Sequence, residues 1–179
     1  MERKNQGTKL FVTFATSLFL CLEAHAASTK DLQVQGSPTI TEADADAIER
    51  IPDAVVELFR RKGGSILFVS SPLERRCGAD FKVYGLYCQH SQRIYIRNGA
   101  EFGGVLAHEL GHFLYCGTYP SWPADAKAVI DRYGGNDPNE FFAQAYSAFC
   151  VCGTSGVPEV DVAIRAVNLT AEMLSKIAP

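Results

Sequence analysis

The sequence predicts an α+β fold, in which a small β-sheet of about three strands is followed by a mainly helical part. Three short runs of β-branched and aromatic residues, separated by turn residues, precede residue 98. After Gly99 the apolar residues recur at helical spacing. The 179 residues are 47% hydrophobic and 21% charged, a composition typical of a globular chain with one domain.

The first 26 residues are predicted to be a secretory signal peptide. Basic residues open this segment, an apolar run covers 10–22, and Ala24 and Ala26 are small residues where signal peptidase cleaves. The alternative is an uncleaved membrane anchor, but a spanning helix needs about 20 apolar residues. We therefore expect cleavage after Ala26, no stable membrane insertion afterwards, and a secreted or periplasmic protein. Residues 27–179 would form a single domain.

The predicted domain opens with a polar lead-in over 27–38, after which helical spacing begins. Thr41 and Asp44 form an acidic variant of a capping box, so a helix should begin there. Pro52 should break or restart this helix, and Gly63-Gly64 should end it. The predicted strands are 65–70, 81–87 and 93–97.

Four further helices are predicted near 100–116, 122–133, 138–150 and 158–177. Asp137 and Pro138 indicate the start of the third of these helices, as N-cap and first-turn proline.

The net charge of the chain argues against nucleic-acid binding. The formal net charge is -3, whereas a protein that binds nucleic acid carries a basic excess. We expect no nucleic acid partner.

The helix near 100–116 carries the motif His108-Glu109-Leu110-Gly111-His112. Residues four apart share one helix face, so both imidazoles can bind one zinc ion. Glu109 lies on a turned face, from which its carboxylate can take a proton from a zinc-bound water that attacks a carbonyl. The motif predicts peptide-bond hydrolysis, one zinc ion per chain, and a peptide or protein substrate. Because glycine weakens a helix by about 0.5–1 kcal/mol relative to alanine, we expect a close neighbour at Gly111.

A catalytic zinc ion needs a third protein ligand. The longer motif with a third histidine is excluded, because Tyr115 and Thr118 occupy the positions of its glycine and histidine. Glu140 begins a helical segment of small and aromatic residues that suits packing beside another helix. It is the preferred third ligand, and Asp131 is the rival.

HELGH followed by NEFFAQAY, with a tyrosine seven residues before the glutamate, resembles the catalytic domain of anthrax lethal factor and the related Pro-Pro endopeptidases. The resemblance implies a zincin-like fold with the HELGH helix as the active-site helix. It implies that His108, His112 and Glu140 bind zinc. It further implies that Glu109 is the general base and that the Tyr133 hydroxyl steadies the oxyanion.

This sequence departs from the family at Gln144, where the family usually has a second glutamate. The amide oxygen of Gln144 can still accept a ring N–H from a ligand histidine, but it brings no negative charge. We therefore expect Gln144 to support the ligands as an uncharged residue.

Five cysteines follow the predicted cleavage site, and export would allow disulfides to persist. Cys77 and Cys88 lie close enough in sequence for a local unit to join them and are the first predicted pair. Cys116 is expected to pair with Cys150 or Cys152, and the remaining thiol would stay free or pair between chains.

The leading function is a secreted zinc-dependent endopeptidase. Two other classes stay open: a catalytically inactive metalloprotease-like protein that binds a partner, and a disulfide-stapled structural protein in which HELGH is accidental. An endopeptidase can hold its substrate as an added strand at a sheet edge. One of the strands 81–87 and 93–97 should therefore lie beside the HELGH helix.

Overall fold

Residues 34–35, 41–70 and 84–177 are described by a computed structural model, and they form four strands and six α-helices. The strands are β1 (Val34–Gln35), β2 (Ser65–Val69), β3 (Gly85–Cys88) and β4 (Arg93–Arg97). The helices are α1 (Glu42–Glu49), α2 (Asp53–Arg61), α3 (Phe102–Thr118), α4 (Ala124–Gly134), α5 (Pro138–Cys152) and α6 (Pro158–Ile177). The predicted α+β class is confirmed.

The sheet has the strand order β1-β2-β4-β3. Strands β1, β2 and β4 are parallel, and β3 pairs antiparallel with β4. Strand β1 lies in the segment expected to be a polar lead-in, so that expectation was wrong at Val34 and Gln35. Two residues are too few to show the alternation that identifies a strand in a sequence. At the other end of the described sheet, β3 is the edge strand.

The capping box at the start of α1 is confirmed and has a second role. Asp44 Oδ2 accepts the Thr41 N–H at 2.9 Å, and Thr41 Oγ1 accepts the Asp44 N–H at 3.2 Å. Asp44 Oδ1 also accepts the N–H of Gly103, in the first turn of α3, at 2.8 Å. One carboxylate therefore caps α1 and ties it to the start of the HELGH helix. As predicted, the chain restarts at Pro52, which precedes α2.

Helices α3 and α5 pack against each other at very short range. A Cβ atom at Gly111 would lie 2.7 Å from Ala143 Cα, so only glycine fits there. The expected close neighbour at Gly111 is thus confirmed. Ser147 Oγ donates to the Gly104 carbonyl at 2.8 Å, which shows that the end of α5 lies near the start of α3. The two helices are antiparallel.

The predicted pairing of Cys116 with Cys150 or Cys152 is wrong, because all three cysteines are free. Cys116 lies near the end of α3, beside Asn139 at the start of α5. Cys150 lies 11 residues further along α5, about 16 Å away at 1.5 Å per residue. A disulfide needs Cα atoms about 4.4–6.8 Å apart. The antiparallel packing therefore keeps the two thiols apart.

Cys88 is disulfide-bonded, and its bond partner is outside the described residues, as is Cys77. The Cys77–Cys88 pairing stays a prediction. The predicted signal peptide over 1–26 also lies outside them. Within the described ranges, no helix combines the length and the apolar character needed to cross a membrane.

Candidate metal centre and active site

Three side chains from two helices converge on one point. His108 and His112 come from successive turns of α3, and Glu140 comes from the first turn of α5. The two Nε2 atoms lie 3.1 Å apart. Glu140 Oε1 lies 3.6 Å from His108 Nε2, and Oε2 lies 3.3 Å from His112 Nε2. The three ligand atoms form a cluster that could hold one metal ion.

The donor set and its spacing fit zinc. Imidazole nitrogen and carboxylate oxygen are ordinary zinc ligands. Donors at about 2.0–2.1 Å from a tetrahedral zinc ion lie about 3.3–3.4 Å from one another, and the three separations here run from 3.1 to 3.6 Å. The Glu140 side chain is 44% exposed, so one side of the cluster is open to solvent. A fourth ligand could enter there.

The start of α5 fixes Glu140. The Asp137 side chain caps this helix by accepting the Glu140 N–H at 3.0 Å, and Pro138 is the first helical residue. One turn later, Gln144 Nε2 donates to Glu140 Oε1 at 2.9 Å. From the sequence, the Gln144 amide was expected to accept a ring N–H from a histidine. In the structure it donates to the Glu140 carboxylate instead.

Asn139, at the start of α5, contacts His112 on α3, a contact that was not predicted from the sequence. Its Oδ1 lies 3.0 Å from His112 Nδ1, the ring nitrogen that does not face the cluster. Polar partners of this kind orient metal-binding histidines. The sequence shows only that a polar residue directly precedes Glu140. It does not show which side chain that residue contacts.

Glu109 is buried between α3 and the edge strand, with 4% of its surface exposed. A Cβ atom at Gly85 would lie 2.5 Å from Glu109 Oε1, so the glycine leaves the space that this carboxylate fills. Burial raises the pKa of Glu109 to about 8; the backbone N–H of Tyr87 lowers it, and the Glu140 charge raises it. Glu109 is not one of the three clustered ligands. Strand β3 therefore lies beside the HELGH helix, as predicted.

Burial also changes the pKa of His108, the first histidine of the motif. Desolvation, followed by the neighbouring His112, lowers the pKa of His108, and Glu140 opposes this shift. Neutral imidazole is the form that binds metal. The surroundings of His108 thus favour the form that a ligand requires.

Asp131, the rival third ligand, lies elsewhere. Both of its carboxylate oxygens accept the Tyr119 hydroxyl, at 2.9 and 2.7 Å, and it is not part of the cluster. Tyr133 is 40% exposed. Its ring stacks on that of Phe141, the residue after Glu140, with centroids 6.3 Å apart. The role of its hydroxyl stays a prediction.

Comparison with known proteins finds similarity among solved structures. No protein-family model and no curated protein matches the chain. Among solved structures, the chain is similar to the Pro-Pro endopeptidase PPEP-2 from Paenibacillus alvei, with 17% identity and a TM-score of 0.47. The match covers 84% of this chain and 98% of that one.

Proposed function

We propose that this chain is a zinc-dependent endopeptidase. The observation that carries the proposal is the cluster of His108, His112 and Glu140, whose donor atoms all lie within 4.8 Å of one another. The next residue after the first ligand, Glu109, is a carboxylate left out of the cluster. Three ligands, an open side and one unused carboxylate are the parts that metal-assisted hydrolysis requires.

Three residues of the chain would have separate roles in hydrolysis: Glu109, Tyr87 and Tyr133. A zinc ion in this site would supply Lewis acidity, which polarises a carbonyl and lowers the pKa of water. With zinc bound, the nearby positive charge would lower the raised pKa of Glu109. The ionised carboxylate would accept the proton of the attacking water and pass it to the leaving amide nitrogen, as the new C–O bond forms and the C–N bond breaks. The N–H of Tyr87 orients the Glu109 carboxylate. By family resemblance, the Tyr133 hydroxyl would hold the oxyanion.

Strand β3 offers the substrate a sheet edge. The Arg97 N–H donates to the Tyr84 carbonyl at 2.8 Å, and hydrogen-bonded pairs alternate along an antiparallel ladder. The backbone groups of Gly85 and Tyr87 therefore point away from β4, toward the edge of the described sheet. Because the Tyr87 N–H already donates to Glu109, the Gly85 backbone groups and the Tyr87 carbonyl are the groups with which an extended peptide could pair. N-methylation of single substrate amides should locate the pairing, since each methyl group removes one donor.

The direct experiment is Glu109→Gln on zinc-loaded protein. Wild type should cleave members of an unbiased peptide library, read by mass spectrometry, and Glu109→Gln should reduce cleavage by about 100-fold or more with zinc content unchanged. Glu172→Gln, on the exposed face of α6, is the matched control and should behave as wild type. Zinc-loaded wild type that cleaves nothing would favour the inactive, partner-binding alternative.

Export is part of the proposal and has its own test. The supporting observation is the charged, apolar and small-residue pattern over 1–26. Protein recovered from the growth medium or periplasm should begin at Ala27. Protein that keeps Met1 and stays with the membrane fraction would contradict cleavage after Ala26.

A further inference from the structure

The side chain of Asn139 bridges two residues of α3 from its place at the start of α5. Its Oδ1 lies 3.0 Å from His112 Nδ1, and its Nδ2 donates to Cys116 Sγ at 3.8 Å. His112 and Cys116 are four residues apart, so they lie on the same face of α3. Both contacts are partly buried. One amide therefore has its two ends on successive turns of the HELGH helix.

The contact with Asn139 favours hydrogen on Nδ1 of His112 over hydrogen on Nε2. A side-chain amide has donors on its nitrogen only, and its oxygen can only accept. With the Asn139 nitrogen directed at Cys116, its oxygen faces His112 Nδ1, and a hydrogen bond between these two atoms requires Nδ1 to be the donor. A neutral imidazole has one ring N–H, so Nε2 keeps its lone pair. Nε2 is the atom that lies 3.3 Å from Glu140 Oε2.

We propose that Asn139 is a positioning residue of the metal centre, which holds His112 as the Nδ1–H tautomer before metal binds. Cys116 supports this by fixing the orientation of the Asn139 amide. The inference deepens the proposed function and rests on it for the identity of the metal. The tautomer itself is a property of the metal-free protein.

Long-range proton–nitrogen correlation spectra of ¹⁵N-labelled, metal-free protein test the tautomer directly. Wild type should show His112 with hydrogen on Nδ1, and Asn139→Ala should show a mixture of both tautomers. Asn136→Ala, an exposed asparagine just before α5, is the matched control and should keep the wild-type spectrum. An Nε2–H tautomer in metal-free wild type would overturn the proposal.

Zinc affinity, measured by competition with a chelator, provides the second readout. Asn139→Ala should weaken zinc binding by about 10–100-fold, with little change in the thermal midpoint of the metal-free protein. Asn139→Asp keeps an acceptor for Nδ1–H and should restore most of the affinity. Cys116→Ser should bind zinc more tightly than Cys116→Ala, because only serine keeps an acceptor for the amide. Equal zinc affinity of Asn139→Ala and wild type would overturn the proposal.

The two proposals can fail separately. If the protein binds zinc and cleaves no peptide, the proposed function fails and the role of Asn139 stands on the tautomer and the zinc affinity. If wild type cleaves peptides through Glu109 but His112 carries its hydrogen on Nε2, the role of Asn139 fails alone.

Discussion

Helices α4 and α5 each carry a carboxylate that the sequence offers as the third ligand, and only α5 brings one to the histidines. Glu140 Oε2 lies 3.3 Å from His112 Nε2. Asp131 instead accepts the hydroxyl of Tyr119 through both oxygens. Asp131 is nearer to the motif along the chain, so distance in sequence does not select the ligand. Selection comes from which helix packs directly on α3.

The packing of α5 on α3 depends on one glycine. At Gly111 the two backbones approach so closely that a Cβ atom would lie 2.7 Å from Ala143 Cα. Glu140 lies three residues before Ala143, and His112 directly follows Gly111. The close contact therefore sits within one turn of the ligands on both helices. It sets the distance that the metal ion would bridge.

The largest expected effect is on zinc affinity, and it should distinguish Glu140 from Asp131 as the third ligand. Glu140→Ala removes a ligand and should weaken zinc binding by more than the roughly 10–100-fold that is typical of a residue behind the ligands. Asp131→Ala should leave zinc affinity nearly unchanged, because its carboxylate faces Tyr119. Chelator competition measures both. If Asp131→Ala were the variant that lost zinc, the ligand set would be wrong.

Tyr133→Phe tests whether α4 contributes to catalysis without binding metal. If its hydroxyl meets the oxyanion only in the transition state, kcat should fall by about 100-fold while KM and zinc content stay the same. Steady-state kinetics on a peptide found in the library digest would measure this. If Tyr133→Phe had the same kcat as wild type, the Tyr133 hydroxyl would have no catalytic role, and the residue would contribute only its stacking contact with Phe141.

Two glycines of α3 allow a matched test of the helix contact. Gly111→Ala should lower the free energy of unfolding by about 1–3 kcal/mol, because the methyl group meets backbone of α5. Gly117→Ala places its Cβ 3.7 Å from the Phe113 ring, an ordinary contact, and should be neutral or stabilising by up to about 1 kcal/mol. Urea unfolding of both variants decides this. Equal stability would mean that the two helices are not locked at Gly111.

The smallest effect concerns the tie between α1 and α3. Burial alone raises the pKa of Asp44, but N–H donors from Gly103 and Thr41 outweigh it, so the pKa is lowered from 3.8. A carboxyl with a lowered pKa in the folded state stabilises above its unfolded pKa, and this is lost as pH falls through the folded value. Asp44→Asn should therefore cost about 1–2 kcal/mol at pH 7 and less at pH 3.

Urea unfolding at the two pH values measures the effect. Asp46→Asn changes an exposed carboxylate of the same helix and serves as the control. A loss of stability in Asp44→Asn that was the same at pH 3 and pH 7 would contradict the charge-based account.

The sequence predicted those parts of the fold and site that follow from local spacing. The spacing of His108 and His112, the capping box of Thr41 and Asp44, and the glycine at the helix contact are all patterns within one helix. Each predicted a feature that the structure contains. Helical periodicity also gave the order of the helices after Gly99.

The features that were missed depend on how distant segments meet. Strand β1 has two residues and exists through its pairing with β2. The role of Asn139 depends on α5 lying antiparallel to α3, and so does the separation of Cys116 from Cys150. No spacing within one segment encodes the direction in which two helices pack.

Metal content is the measurement that tests the central claim most directly. Purified mature protein, dialysed against metal-free buffer and analysed by atomic emission, should retain close to one zinc ion per chain, and His108→Ala and His112→Ala should retain almost none. Wild type that is metal-free, and that gains no thermal stability when zinc is added, would contradict the assignment of His108, His112 and Glu140 as a zinc site.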